Sequence, residues 1–439
     1  MAKKKQDLSP EERLAAAFVP EEEWPYTLPD GWNWVRIGAL NDYKSSSITP
    51  STNPDDTFEL YSVPSIVNDY PEITKGMDIG STKQLVEKDD VLLCKINPRI
   101  NRVWKVSAHT THKCLASSEW IVVRARSFFA SDYLMWFFRC PYFRERMLSN
   151  VSGVGGSLMR AKPRYVQTYP VALPPLSEQH RLVARIESLF AKLDAAKEKV
   201  QSVLDSQENR KAALLHDAFV GKLTAKWRDG QSTMISSWKP ISFEDCIEKM
   251  QNGLSKRKGD AGEYVNVLRL TNIAPEGLSF QDMRKILLTS DEKEKYKLAP
   301  EDVLMVRVNG SKDNVGKQLY IDKKDADNQL TFCDHLIRIH YNEQLVAPQF
   351  MVYFSHTMQY KSYVEKNMVS SAGQNTISRK GMKNLSLMLP SLPEQQEIVR
   401  ILDRLLAREQ RARQAAAETL AAIDRMKQAI LARAFRGEL

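Results

Sequence analysis

Apolar side chains recur at alternating intervals of four and three residues in two long stretches of the chain, 173–223 and 389–439. The two stretches align without a gap, and their apolar positions coincide. This spacing is typical of the seam by which one long amphipathic helix packs on another. The seam positions are Leu182, Ile186, Leu189, Val200 and Leu214 in the first copy, and Ile398, Leu402, Leu405, Ile423 and Ile430 in the second. The pattern predicts two long helices, and the simplest partner of each is its own repeat.

The same short motifs open and close both copies. Leu-Pro-x-Leu-x-Glu-Gln begins at Leu173 and at Leu389, and Ala-Phe-x-Gly-x-Leu ends each copy. Proline near the start and glycine near the end are common boundary signals of helices. We therefore predict long helices within 177–223 and 393–439.

Two segments with mixed patterns, 28–176 and 238–392, alternate with the helices and are weakly similar to each other. Residues 89–93 and 301–305 both place acidic residues before an apolar run, which predicts a turn into a buried strand. The aromatic-rich run 132–147 predicts a helix. A single internal duplication explains the order globule, helix, globule, helix better than two unrelated domains do.

Two further segments lie outside this repeated plan. Within the N-terminal extension, 1–27, Ser9 followed by Pro10–Ala17 predicts a short capped helix, and the alternative is a flexible tail. The polar, glycine-containing stretch 224–237 predicts a linker.

The charge balance favours an anionic partner, because the 439 residues carry a net charge of +9 and have a pI of about 9.1. The length suits two or three domains with cores of their own. Five cysteines lie apart without a CxxC pair, which favours reduced thiols and a cytoplasmic location. The first residues lack the pattern of a signal peptide, and no apolar run approaches the ~20 residues of a membrane span.

The search for catalytic and metal-binding motifs is negative. The sequence has no Walker-type phosphate loop, no HExxH and no paired-cysteine zinc pattern. Residues 97–99 come nearest to the Asn/Asp-Pro-Pro-aromatic motif of an amino-methyltransferase, but lack the second proline and the aromatic residue. His109, His112 and Cys114 are three potential ligands without a fourth, so a solvated loop is favoured over a metal site. We predict neither a catalytic residue nor a metal.

The positive signal is a set of acid-free stretches in which basic residues cluster. These clusters contain Lys95, Arg99 and Arg102, then Arg160, Lys162 and Arg164, and in the second globular segment Arg379 and Lys380 beside Gln374, Asn375 and Ser378. Basic side chains attract phosphates, and neighbouring Arg, Asn, Gln and Ser can read base edges in the major groove. The alternative is a solvated basic face. Recurrence of a cluster just before the Leu-Pro motif in both copies favours DNA.

The repeated opening motif, the long helix, the Ala-Phe-x-Gly-x-Leu end and two globules that open near Gly31-Trp32 resemble the specificity subunit of a type I restriction-modification system. The resemblance covers nearly all of the chain beyond residue 27. It implies an α+β fold in which two mixed α/β target recognition domains in tandem, 28–176 and 238–392, are separated by two long antiparallel helices in a coiled-coil-like arrangement with a pseudo-twofold internal repeat. It adds, as positions where such domains meet DNA, Asn97, Asn101, Ser157, Arg307, Asn309, Ser311 and Lys312.

The resemblance also implies what the chain binds. It implies a non-catalytic subunit without a cofactor, which reads an asymmetric bipartite site on double-stranded DNA. Its expected partners are two methyltransferase subunits and restriction/translocase subunits, and those partners would use S-adenosylmethionine, ATP and Mg. The alternative is a coiled-coil adaptor that binds proteins and has no specific DNA binding.

Overall fold

The computed structural model describes residues 9–153, 159–274 and 277–439, and the chain divides into two compact units. Unit 1 combines the chain up to Gln201 with Ala417–Leu439, and unit 2 is Ser202–Ala416. Each unit therefore contains one globular segment and helical residues from both copies of the repeat.

The chain from Ser9 to Asp205 forms short helices and strands that lead into one long helix. The helices are α1 (Pro10–Ala17), α2 (Ile37–Leu40), α3 (Ser131–Arg139), α4 (Pro141–Ser149), α5 (Pro163–Val166) and α6 (Leu176–Asp205). The strands are β1 (Asn33–Arg36), β2 (Ser47–Ile48), β3 (Thr57–Tyr61), β4 (Glu72–Lys75), β5 (Lys83–Leu85), β6 (Val91–Cys94), β7 (Val103–Lys105), β8 (Lys113–Ala116), β9 (Trp120–Val123), β10 (Val151–Ser152), β11 (Arg160–Ala161) and β12 (Pro170–Leu173).

The chain from Gln207 onwards again combines short helices and strands and ends in one long helix. Its helices are α7 (Gln207–Phe219), α8 (Ala225–Gly230), α9 (Ser290–Tyr296), α10 (Lys323–Ala326), α11 (Pro348–Ser355), α12 (Met358–Asn367), α13 (Arg379–Met382) and α14 (Leu392–Ala434). Its strands are β13 (Lys239–Ser242), β14 (Ile247–Asn252), β15 (Glu263–Leu268), β16 (Ile273–Ala274), β17 (Gly277–Leu278), β18 (Arg284–Leu288), β19 (Val303–Val306), β20 (Val308–Asn309), β21 (Gln318–Tyr320), β22 (Leu330–Phe332), β23 (Leu336–Tyr341), β24 (Val369–Ser371), β25 (Gln374–Thr376) and β26 (Ser386–Leu389).

The sheets of the two units share a common strand order. The order β7-β6-β9 in unit 1 corresponds to β21-β19-β23 in unit 2, where β14 adds an outer strand. The order β4-β3-β8 corresponds to β18-β15-β22, and β3–β8 and β15–β22 are parallel pairs. Strands β1 and β13 pair antiparallel with β12 and β26, the strands just before the long helices. The predicted strands at 91–93 and 303–305 are confirmed as β6 and β19.

The long helices of the repeat are confirmed, with one local difference. Copy two is the continuous helix α14, whereas copy one is interrupted between α6 and α7 at Ser206. The Ser206 hydroxyl donates to the carbonyls of Ser202 (2.8 Å) and Val203 (3.2 Å), and this competition for helix carbonyls bends helices. The single long helix predicted for copy one is thus corrected to two helical segments, α6 and α7, although backbone hydrogen bonds continue through Ser206.

Helical residues of the two copies run antiparallel within each unit. In unit 1, Lys197 pairs with Asp424 (3.2 Å), and Asp194 pairs with Lys427. From the first pair to the second, the residue number falls in copy one and rises in copy two, so the two helices are antiparallel. In unit 2, Arg210 pairs with Glu409 (2.9 Å).

The glutamine of the opening motif fixes each long helix to its globule. Gln179 is fully buried; it accepts from the Ala130 N–H (2.8 Å) and donates to the carbonyls of Phe128 and Pro174 (3.0 Å each). Gln395 repeats this pattern in unit 2, accepting from the Ala347 N–H (2.8 Å) and donating to two carbonyls. Because Ala130 and Ala347 immediately precede α3 and α11, the glutamine satisfies a helix-start N–H that would otherwise be unpaired.

The phenylalanine of the closing motif completes each hydrophobic core. Phe435, at the end of copy two, lies within the core of unit 1, with ring centroids 5.0 Å from Phe137 and 5.4 Å from Tyr133. Phe219, at the end of copy one, packs on Phe350 of unit 2 at 4.8 Å. Each globule is therefore closed by the helix copy that follows the other globule.

The N-terminal extension is structured from Ser9 onwards. Ser9 and Glu12 form the predicted capping box of α1, and Ala17 is fully buried in the core of unit 1. Arg13 forms an ion pair with Asp42 at 2.7 Å. For the described part of 1–27, the short helix is confirmed and the flexible tail is wrong.

Two other predictions need correction. The helix predicted over 132–147 is two helices, because Cys140 is extended and Pro141, which has no N–H, begins α4. The stretch 224–237, predicted as a linker, contains α8 and is held by Arg228, whose guanidinium reaches buried Glu394.

Candidate nucleic-acid interface

In unit 1 two basic clusters lie side by side: one is in the loop that follows strand β6, and the other is in the segment before α5. Asn97 has a left-handed backbone with φ of 47°, and its N–H donates to the carbonyl of Met159 at 2.7 Å. Ile96 forms an isolated antiparallel bridge with Arg160. The loop 95–102 and the segment 159–164 are therefore neighbours, although some sixty residues separate them in sequence.

The predicted residues of this junction differ in how accessible they are. Arg99 and Arg164 are exposed, while Lys95, Asn97, Asn101, Arg102, Arg160 and Lys162 are half-buried. Arg160 forms an ion pair with Glu119 at 3.2 Å, so its charge is already matched. The predicted Ser157 lies outside the described residues.

An aromatic ring that the sequence analysis did not select stands between two of these cations. The Lys162 ammonium and the Arg164 guanidinium lie 5.9 Å and 4.8 Å from the ring centroid of Tyr165, within the range of cation–π attraction. The sequence does show this aromatic residue among the basic residues of the cluster, and that pattern could have identified Tyr165. Tyr165 is half-buried and holds both cations on one side of α5.

Unit 2 builds the equivalent junction from strands β20, β25 and β24. Asn309 pairs with Asn375 in the register of β20 and β25, and the Ile377 N–H donates to the carbonyl of Arg307 at 3.0 Å. The loop after β19 thus meets the segment before α13, as the loop after β6 meets the segment before α5.

The predicted residues of unit 2 divide into structural and accessible ones. Asn375 is buried, and its amide donates to the carbonyls of Asn309 and Gly310. The Ser378 hydroxyl accepts from the Gly381 N–H at 3.1 Å and so caps α13. The exposed members are Ser311, Lys312, Gln374, Ser378, Arg379 and Lys380, while Arg307 and Asn309 are half-buried.

The histidine loop that offered three potential metal ligands is organised by a carboxylate instead. Buried Glu59 accepts from the backbone N–H groups of His109 (2.9 Å) and Thr110 (2.8 Å) and from the hydroxyl of Tyr61. Burial alone would raise the pKa of Glu59, but these hydrogen bonds outweigh it and lower the pKa.

A different group in unit 2 has the donor types of a metal site. Potential ligand atoms of Cys333, Asp334 and His335 lie within 4.8 Å of one another. Arg257 lies 3.5 Å from the Asp334 carboxylate and supplies a cation there already. Three consecutive donors fall short of the four ligands of a structural zinc site.

None of the helices in the described ranges is both long and apolar enough to cross a membrane.

Known proteins with similar sequences and folds share one description. A family model for the type I restriction modification DNA specificity domain matches residues 237–418. The StySPI specificity subunit of Salmonella potsdam is 30% identical over 358 residues, 81% of this chain and 76% of that protein. The EcoKI specificity subunit of Escherichia coli K12 is 27% identical over 357 residues, again 81% and 76%. The solved HsdS subunit of Thermoanaerobacter tengcongensis matches with a TM-score of 0.61 at 22% identity, over 95% of this chain and 100% of that one.

The structural likeness defines the class of fold, mixed α/β globules combined with long helices. The sequence match to the Salmonella protein then gives the family. The chain belongs to the type I restriction-modification specificity subunits, the non-catalytic components that supply DNA sequence recognition.

Proposed function

We propose that the chain reads an asymmetric, bipartite site on double-stranded DNA, with 28–176 and 238–392 as its two target recognition domains. The observation that carries the proposal is the junction built twice, by β6 with α5 and by β19 with α13, with different basic and amide side chains on each. Since the two sets of side chains differ, each domain reads a different half-site.

The exposed residues of each junction have distinct tasks in this proposal. Arg99 and Arg164 in unit 1, and Lys312 and Arg379 in unit 2, neutralise backbone phosphates. Gln374 is exposed at the start of β25 and carries the donor and acceptor pair that suits an adenine edge. Buried Asn375 positions the loop after β20 and does not contact bases.

The remaining partners of the assembly are proteins. The chain docks two methyltransferase subunits on exposed faces of the long helices, and restriction/translocase subunits join this core. S-adenosylmethionine, ATP and Mg are bound by those partners. The repeat supports two docking positions, because each unit presents helix residues of both copies.

The test is target selection by the assembled methyltransferase complex from a random duplex library. Arg99→Glu with Arg164→Glu should abolish selection of one half-site and leave the other readable in the recovered sequences. Lys312→Glu with Arg379→Glu should do the converse. Lys226→Glu, which alters an exposed lysine of α8 outside both junctions, is the matched control. Loss of both half-sites in either variant would contradict the assignment of one half-site to each domain.

A further inference from the structure

Unit 2 contains an open groove between α7 and the junction of α11 with α12. Its volume is about 350 Å³, within the range of ligand pockets. Leu215 and Phe219 form its apolar floor, and Met358, with 68% of its surface exposed, stands at its edge. An exposed apolar groove of this kind is a place where another molecule docks.

The rim of the groove is basic. Lys211 and Lys361 line it, and neither forms an ion pair within the described residues; Glu208 is the carboxylate on the same lining. His356 also lines it, and burial, together with these lysines and Lys317, lowers the pKa of the imidazole to about 4. The ring is therefore neutral near pH 7, because burial disfavours the charged imidazolium and the lysines add a positive potential.

In unit 1 a tyrosine lies against the residues that align with two members of this lining. Phe435 takes the place of Phe219, and Tyr142 in the first turn of α4 takes the place of Gln359 in the first turn of α12. The hydroxyl of Tyr26 donates to the carbonyl of Phe435 at 3.1 Å, and its ring lies edge-on to Tyr142 at 5.7 Å.

The segment that supplies this tyrosine is acidic and aromatic. Glu21, Glu22, Glu23 and Trp24 precede Tyr26, and Arg436 lies 5.4 Å from the tyrosine ring. The ring of Tyr26 thus lies beside a basic residue, while Glu23 of the same segment pairs with Arg36 at 2.6 Å.

Unit 2 lacks a counterpart of this tyrosine. The segments before the two globules can be aligned at Trp32 and Trp238, which immediately precede β1 and β13. This alignment places Ser232 at the position of Tyr26. Ile235, which aligns with Pro29, lies beside Gly221 as Pro29 lies beside Gly437, so the segment passes the same place and carries a serine where unit 1 has the tyrosine. The groove of unit 2 therefore has an apolar floor and a basic rim, but this segment supplies no aromatic side chain that covers them.

We propose that the groove of unit 2 binds a segment of a methyltransferase subunit in which an aromatic side chain lies beside carboxylates. The aromatic ring covers Leu215 and Phe219, and the carboxylates face Lys211 and Lys361. The aromatic part of the occupant follows from the position of Tyr26 in unit 1 and its carboxylates follow from the two lysines, whereas its assignment to the methyltransferase rests on the proposed function.

The first experiment titrates the full-length chain with its methyltransferase subunit. Ala212 lines the groove and Ala213 is its neighbour on α7 outside the lining; both are exposed, so tryptophan is tolerated at either position. We expect Ala212→Trp to weaken association at least about tenfold and Ala213→Trp to change it less than about twofold. Parent-like affinity of Ala212→Trp, or equal loss in both variants, would overturn the inference. Absence of any association with the parent chain would instead count against the proposed function.

The second experiment identifies the occupant in the assembled, DNA-bound complex. A photo-crosslinking benzoylphenylalanine replaces Met358, and the linked peptides are sequenced by mass spectrometry. The expected product joins position 358 to a methyltransferase segment that contains an aromatic residue close to Asp or Glu. Crosslinks to DNA, to a second copy of this chain or to an uncharged apolar segment would each overturn the proposal.

Discussion

The two copies of the Leu-Pro-x-Leu-x-Glu-Gln motif use their glutamines identically and their glutamates differently. Gln179 and Gln395 make the same three hydrogen bonds, two to the loop before an aromatic-rich helix and one to the proline carbonyl of their own motif. Glu178 lies near the surface and pairs with Arg181 one turn along its own helix. Glu394 is fully buried and binds Arg228, Thr224 and Trp238. The shared glutamine maintains the fold, whereas the glutamate of copy two binds the segment before its globule and the glutamate of copy one binds its own helix.

The largest expected effect separates the two glutamates. Glu394→Gln leaves the buried Arg228 guanidinium without its counter-ion, which should cost about 3–5 kcal/mol in the free energy of unfolding. Glu178→Gln removes an exposed pair and should cost less than about 1 kcal/mol. Urea-induced unfolding of the full-length chain measures both. If Glu394→Gln lowers the free energy of unfolding no more than Glu178→Gln does, the buried network of unit 2 stabilises the fold no more than a surface ion pair.

Replacing the buried glutamine of the motif should lower the free energy of unfolding by a similar amount in both units, and this is the second largest expected effect. Gln179→Ala and Gln395→Ala each leave a backbone N–H and two carbonyls without their partner, and each should cost at least about 1–3 kcal/mol. Gln→Glu variants at the same sites provide a matched control, because they keep the acceptor and lose the donor. The comparison fails if one alanine variant is strongly destabilised and the other is not.

A smaller effect compares the DNA junctions. In the assembled complex, Arg164→Ala and Arg379→Ala should each reduce the slope of log affinity against log salt by about 1, as expected for one lost phosphate contact. Lys226→Ala should leave the slope unchanged. A change in one unit alone would show that phosphate contacts are distributed unequally between the two junctions.

The smallest expected effect is a pH dependence confined to unit 1. The lowered pKa of Glu59 means that its ionised form stabilises the folded state above the ordinary value of 4.5, and that this stability is lost as the pH falls through the folded pKa. The matching position in β15 is Asn266, which does not titrate. Glu59→Gln should therefore flatten the dependence of unfolding free energy on pH below 4.5. An unchanged pH profile would contradict a stabilising role of the ionised carboxylate.

Periodicity and motif were sufficient to predict the long helices, because those signals are local. The break before Pro141 was also local and readable, since proline cannot continue the hydrogen bonding of a helix. The bridges that join Ile96 to Arg160 and Asn309 to Asn375 depend on tertiary pairing, which composition does not reveal. For the same reason, sequence could not show that Asn375 is buried, that Arg160 is paired with Glu119, or that Tyr26 contacts Phe435.

The position of Phe435 in the core of unit 1 has a consequence for synthesis on the ribosome. Unit 2 is a continuous stretch, Ser202–Ala416, and all of it has been translated before the last part of unit 1, Ala417–Leu439, is made. Domains usually fold in the order in which they emerge. Here the unit that begins first is completed last, so a nascent chain must keep the aromatic core around Tyr133 and Phe137 open until Phe435 has been made.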